Sequence, residues 1–237
     1  MKKLVKEELM SMLLKKDTVN HNKGLFDLRM IEIENEDLSG VNFSFSNLKS
    51  SVFRNVNLRS CNFTSSDLEN TLFFNTPLDN SIFKDCYMHG TTLRNNSLRG
   101  IDISGADLYF ATMENTDITD IVYDDKTKWF KMHCPETGAF IGYKKCVNDR
   151  LVQLLIPADA KRTSATLNSC RCSKAKVLSI KSFDSMENFD EAWSLVDENF
   201  VYRVHEWVEV KNFNNDRFMD STTGIHFWMT REEAIAY

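Results

Sequence analysis

Four cysteines, Cys134, Cys146, Cys170 and Cys172, stand in the C-terminal half of this 237-residue chain, with His133, His205 and His226 at hand. Thiolate and imidazole side chains together can hold zinc, but a structural site needs two close pairs. Only Cys170 and Cys172 are close in sequence. We therefore expect buried thiols and no metal, those four cysteines being the candidates if one is bound. A second possible chemistry belongs to Lys161, Arg162, Arg171, Lys174 and Lys176, which with Thr163 and Ser164 make a basic stretch able to hold a phosphate or another anion. No glycine-rich phosphate cradle, HExxH or nucleophile elbow accompanies it, so neither a cofactor nor a catalytic residue is expected. His226 in "GIHFW" reads as a hydrogen-bonded core histidine, or as a base without an identifiable nucleophile. An enzyme that takes a nucleotide or phosphate ligand through the basic stretch is the alternative function.

These residues have to be placed by a C-terminal α+β domain. "GAFIGYKKCV", "RLVQLLIP", "KAKVLSI", "FVYRV" and "GIHFWMT" read as strands bounded by turn residues, and all four tryptophans lie in this part of the chain. "TREEAIAY" reads as a closing helix with Thr230 as N-cap and Glu233 completing a capping box. Charge is uneven along the domain. Residues 144 to 181 carry nine bases and two acids, hence +7, and residues 182 to 237 four bases and twelve acids, hence −8. The two segments either neutralise each other or leave a basic face for an acidic ligand.

The preceding part follows a different rule. From Leu38 to Ile118 a large apolar residue returns at every fifth position, seventeen times without a break. Neither a helix nor an ordinary strand has that period. Two residues earlier the side chain is mostly small; two residues later it is Gly, Asn, Ser or Asp except at Phe45 and Phe110. A segment that buries one large and one small residue and then turns a corner closes a square coil after four segments. Residues twenty apart then stack, with leucine columns facing each other and phenylalanine columns facing each other.

This pattern resembles the pentapeptide-repeat family, which implies a right-handed quadrilateral β-helix over residues 36 to 120. Residues 1 to 17, with Val5, Leu9, Met12 and Leu13 on one side, are expected to form a capping helix, and "GLFDLRMIEIENED" a first irregular coil up to residue 35. The segments "CPETGAFIGYKKC", "IPADAKRTSATLNSCRCSKAKVL" and "GIHFWMTREEA" resemble a domain of unknown function found after pentapeptide repeats in phage and bacterial proteins. That resemblance implies a cysteine near position 221, where this chain has Ser221. The fold class expected is thus mainly β: a capped β-helix followed, over residues 121 to 237, by an α+β domain.

Family members include DNA mimics that bind gyrase, a role for which the resemblance would need a dense acidic surface. Residues 36 to 120 hold eleven acids and six bases, a net of −5, whereas duplex DNA of roughly 20 Å carries on the order of 12 charges. Departures from the repeat are more informative. Phe45 and Phe110 occupy corner positions, Phe74 lies outward between Arg54 and Arg94, and Tyr87 and Tyr109 also point outward. Exposed aromatics beside arginine serve as anchors in protein interfaces, so these seven residues are the candidate partner-binding set. Phe45 and Phe110 could instead lie beneath the capping helix or the second domain.

No stretch approaches the roughly 20 apolar residues of a membrane span, and the lysine-rich start has no uninterrupted apolar core of a signal peptide. With a net charge of −5 the chain lacks the basic profile of a nucleic-acid binder. We expect a cytoplasmic, non-enzymatic protein-interaction module, in its specific form a phage-type inhibitor of a host enzyme or defence factor, with pairing of two copies left open.

Overall fold

Every fifth residue from Met30 to Asp120 has a left-handed backbone, with φ between 49° and 74°. These are the corners, and Asn, Asp, Ser and Gly predominate there because they tolerate that conformation best. Two residues before each corner the large side chain points inward, and Phe43, Leu48, Phe53, Leu58 and Phe63 are all fully buried. In the computed structural model residues 1–16 and 24–237 are described. They divide into two compact units, Met1–Phe130 and Lys131–Tyr237.

The first unit is the quadrilateral β-helix. It begins with β1 (Lys2–Lys3), α1 (Lys6–Lys16), β2 (Phe26–Asp27) and β3 (Ile31–Glu34), followed by β4 (Ser46–Asn47), β5 (Val52–Arg54) and β6 (Leu72–Phe74). Strands β3, β5 and β6 pair in parallel with Ile33, Phe53 and Phe73 in register, and isolated bridges such as Asn42↔Asn62↔Ile82↔Asp102 continue the other walls. One coil is therefore twenty residues. The interior stacks as the spacing requires: Phe43 and Phe63 lie 5.0 Å apart and 4° from parallel, and Phe63 and Phe83 lie 4.8 Å and 5°. Across the core, Phe43 meets Phe53 edge to face at 6.1 Å, the arrangement the ring quadrupoles favour.

Small inward residues have a second task. The Ser66, Thr71, Ser81 and Thr91 hydroxyls donate to the carbonyls of Phe43, Leu48, Leu58 and Leu68, at 2.8, 2.9, 2.7 and 2.9 Å. The thiols of Cys61 and Cys86 take the same place toward Leu38 and Phe63, and burial pushes both up to about 12.

Four features differ from the sequence-based expectation. Residues 2 and 3 are extended rather than helical, because the Lys2 and Leu4 amides donate to the Met30 and Glu32 carbonyls and so cover the edge of the first wall. Helix α1 starts at Lys6; it buries Leu9 and Leu13, but Val5 is exposed, and residue 17 lies outside the described residues. From Leu28 on the first coil already follows the five-residue rule: Leu28 and Ile33 are buried and Met30 and Asn35 form corners. At the other end the unit runs past residue 120, since Val122 bridges Asp102, and Asp107 bridges Lys128 rather than residue 127 because one residue is inserted.

The second unit carries β7 (Phe140–Cys146), β8 (Arg150–Ile156), β9 (Arg162–Ser164), β10 (Cys170–Cys172), β11 (Lys174–Ser182), β12 (Glu191–Trp193), β13 (Val201–Arg203), β14 (Trp207–Glu209), β15 (Ile225–Phe227) and α2 (Arg231–Ala236). Its main antiparallel sheet has the order β14-β11-β8-β7; β15-β10-β9 form a second sheet and β12-β13 a third. The core includes Val152, Leu154, Val177, Tyr202 and Phe227. Thr230 and Glu233 make the capping box of α2, each side chain receiving the other's backbone amide.

Candidate functional site

Strand register sets the first outward column. Arg54 on β5 pairs with Phe74 on β6, and its guanidinium lies 4.4 Å from the centre of the Phe74 ring. The Arg54 Nε also lies 3.5 Å from Glu32 and 3.8 Å from Glu34. Phe74 is accordingly half-buried under Arg54, while Arg94 in the next coil is exposed.

The strongest surface feature of the first unit is one column further round. Tyr87 and Tyr109, each 40% exposed, and Phe110, 57% exposed, lie together. His89 links them: its ring is 3.9 Å from that of Tyr87 and 5.3 Å from that of Tyr109, which in turn packs 6.3 Å from Phe110 and 5.0 Å from Trp129. The Tyr87 hydroxyl is 2.6 Å from His89 Nδ1, and His89 Nε2 is 2.9 Å from the Asp107 carboxylate. Lys128 binds the same carboxylate at 3.2 Å. Of the rings in this cluster, His89 and Trp129 were not singled out from the sequence, nor were Asp107 and Lys128 beside them. Position 89 lies twenty before Tyr109, so the stacking rule itself carried the signal for His89. Phe110 has φ 61° and Phe45, 44% exposed, has φ 52°, so neither is buried beneath another element. They belong to different corner columns and the fold does not bring them together.

The basic stretch of the second unit does not converge. Arg162 donates to the carbonyls of Gly138, Pro157 and Ala158 at 2.6, 2.6 and 3.0 Å. Arg171, fully buried, donates to those of Asn214, Thr223 and Asp216 at 3.2, 2.9 and 2.9 Å. Lys174 pairs with Asp159 at 2.6 Å, Lys176 lies beside Trp207 in the main sheet, and Lys161 is exposed. The two guanidiniums act as loop clamps. Cys134, Cys146, Cys170 and Cys172 are buried free thiols in the core; Cys134 and Cys170 share a hydrogen bond, which with burial pushes the Cys170 thiol up. Among the described residues no group of three or more His, Cys, Asp or Glu side chains is placed to hold a metal ion.

A cavity of about 680 Å³ opens elsewhere in the second unit, lined among others by Lys144, Phe200, Tyr202, Asp220, His226 and Trp228. Its volume is that of a small-molecule pocket. Lys144 is 94% buried on the inner side of β7, between Gly142 and Cys146. The sequence signal was the alternation: in "GYKKC" one of two adjacent lysines has to face the core. Its ammonium has the Tyr202 ring 6.0 Å away and no hydrogen bond or ion pair to a described residue. Burial lowers its pKa. His226 Nε2 donates to the Asp220 carbonyl at 2.9 Å, leaving Nδ1 as an acceptor, and burial lowers this imidazole's pKa too. Ser169 donates to the Asp220 carboxylate at 2.7 Å.

A coil of five-residue segments followed by a separate mainly β unit is thus the class of protein that the geometry defines. Residues 37–73 and 78–120 match pentapeptide repeats in eight copies, and residues 130–234 match a family of unknown function, DUF5758. The chain carries pentapeptide repeats followed by a DUF5758 domain. Among solved structures it is similar to a pentapeptide repeat protein from the cyanobacterium Cyanothece 51142, at 24% identity over 43% of this chain and 63% of that one, with a TM-score of 0.18. It is similar also to QnrB1, a plasmid-mediated fluoroquinolone resistance protein, at 15% identity over 41% and 64% with a TM-score of 0.24. A pentapeptide repeat protein from Nostoc Pcc 7120 matches at 13% over 52% and 98%, with a TM-score of 0.27. The chain spans less than two thirds of the first two. No curated protein matches it. Among the described residues no helix is long and apolar enough to cross a membrane.

Proposed function

We propose that the β-helix is a rigid binding module for a protein partner, with Tyr87, Tyr109 and Phe110 as its anchors. The observation that supports this reading is Phe110 itself: a bulky aromatic kept more than half exposed in a left-handed corner. That conformation costs a residue other than glycine roughly 1–2 kcal/mol, and strain of this kind collects at sites of function. Tyr and Phe so presented supply large apolar contact area, and the coil holds them without further ordering on binding. In its specific form the partner is a host enzyme or defence factor that the bound module inhibits, a version motivated by the phage-associated resemblance of the C-terminal segments. Direct DNA mimicry is not part of this reading, since the repeats carry a net charge of only −5.

The test is affinity capture from nuclease-treated host lysate with the native chain and with a Tyr87→Ser/Tyr109→Ser variant. A stoichiometric protein retained by the native chain and lost by the variant supports the reading. A partner held equally by both moves recognition off this face, and no partner with either removes the proposal.

A further inference from the structure

We propose that the cavity of the second unit binds an organic monoanion, a carboxylate on an apolar or aromatic body, with Lys144 as the charge anchor. Three observations converge on it. The first is the buried ammonium, which makes no hydrogen bond or ion pair with a described residue. A lone buried charge is costly, and proteins keep one where something else completes it. The groups closest to it in charge terms are the thiols of Cys146 and Cys172, which carry no charge at neutral pH because burial pushes each up to about 12.

The second is the wall. Leu195, Phe200, Val210 and Trp228 give an apolar lining that suits a hydrocarbon or aromatic body, while the Thr222 hydroxyl, which accepts from the Asn214 amide, keeps its own proton to donate. The third is the sign of the surrounding charge. Asp197 and Asp220 line the same cavity, and residues 182 to 237, which supply most of the lining, sum to −8. A single negative charge can be met by Lys144; a phosphate dianion or a nucleotide meets net repulsion. The site is independent of the aromatic face of the β-helix, and neither reading rests on the other.

The experiment uses the full chain. Phenylacetate, naphthalene-2-acetate and decanoate are titrated against it, each beside its neutral amide, with inorganic phosphate as a further arm. Tryptophan fluorescence, to which Trp228 in the cavity wall contributes, and the thermal transition are the readouts. The expected result is that at least one carboxylate binds more tightly than its amide by about ten-fold, the worth of one charge-assisted hydrogen bond. Lys144→Met should abolish that preference, and phosphate should bind more weakly than any carboxylate. Should Lys144→Met not fold, Leu195→Trp, which changes an exposed residue at the mouth, should weaken the same carboxylate. The proposal is overturned if no probe binds, if amides bind as well as carboxylates, if phosphate binds best, or if the preference survives the variant.

Discussion

The Ser66 hydroxyl donates to the Phe43 carbonyl at 2.8 Å, one coil below. The same link is made by Ser51, Cys61, Thr71, Thr76, Ser81, Cys86 and Thr91, so these coils are tied to the previous one through the core as well as along their walls. It explains why Ser, Thr and Cys are accepted inside an otherwise apolar column: the buried donor is satisfied.

Removing one link should have a small and definite cost. Thr71→Val preserves shape and loses the bond to Leu48, whose carbonyl keeps the Ser51 amide at 3.0 Å. We expect a loss of about 1 kcal/mol in denaturant unfolding with unchanged m-value. A neutral result would mean that the link orders the coil without stabilising it.

The phenylalanine stack should be far more sensitive. Phe63 touches Phe43, Phe83 and Phe73 at centroid distances of 5.0, 4.8 and 6.3 Å. Phe63→Ala should cost about 3–5 kcal/mol, read as a large fall in the midpoint of β-helix unfolding.

The opposite sign is expected at the corner. Phe110→Asn replaces a strained residue by one that tolerates φ 61° and should stabilise by up to about 1 kcal/mol, while weakening capture of a partner. A variant both less stable and fully binding would contradict the assignment of Phe110 as an anchor.

Arg171 should prove essential to the second unit. Arg171→Met leaves three carbonyls of the 214–223 segment without their donor, at a cost of about 3 kcal/mol or more. Faster limited proteolysis within residues 212–224 is the expected readout. Protection equal to native would show the clamp to be dispensable.

Lys144 gives a pH signature. Burial holds its folded pKa below the value near 10.4 of the unfolded chain. Between those two values the unfolded state binds more protons, so stability rises with pH there. The surrounding groups do not mask this: Cys146 and Cys172 titrate only at about 12, Tyr202 is pushed well up, and burial lowers His226, while Asp197 and Asp220 face the same cavity. Lys144→Met should be the more stable protein at pH 7, by about 1–3 kcal/mol. That advantage should shrink as pH approaches 10.4, and equal gains at pH 7 and 10 would refute it.

What could be read from the residues alone follows from local periodicity. Spacing of five placed every inward residue from Leu38 to Met113, and the residue types at the corners matched a backbone that only some side chains tolerate. The Thr230 and Glu233 cap was legible for the same reason, since both partners lie within one turn. Strands β7, β8, β11, β13 and β15 were visible as short apolar runs, whereas β10, "CRC", and β14, "WVE", are too short to show a period and exist because β15 and β11 pair with them.

Tertiary structure decided where the charges went. In sequence Arg162 and Arg171 look like parts of one anion site, yet each is consumed by carbonyls of loops distant in the chain, partners no spacing rule can supply. Lys144 was one of nine bases in a basic run until β7 turned it inward. His89 acquired its neighbours because residues eighteen and twenty positions away stack in the next coil. The repeat determined which residues face in and which face out; only the closing of the chain in space determined which of the outward and buried polar groups found partners and which, like Lys144, did not.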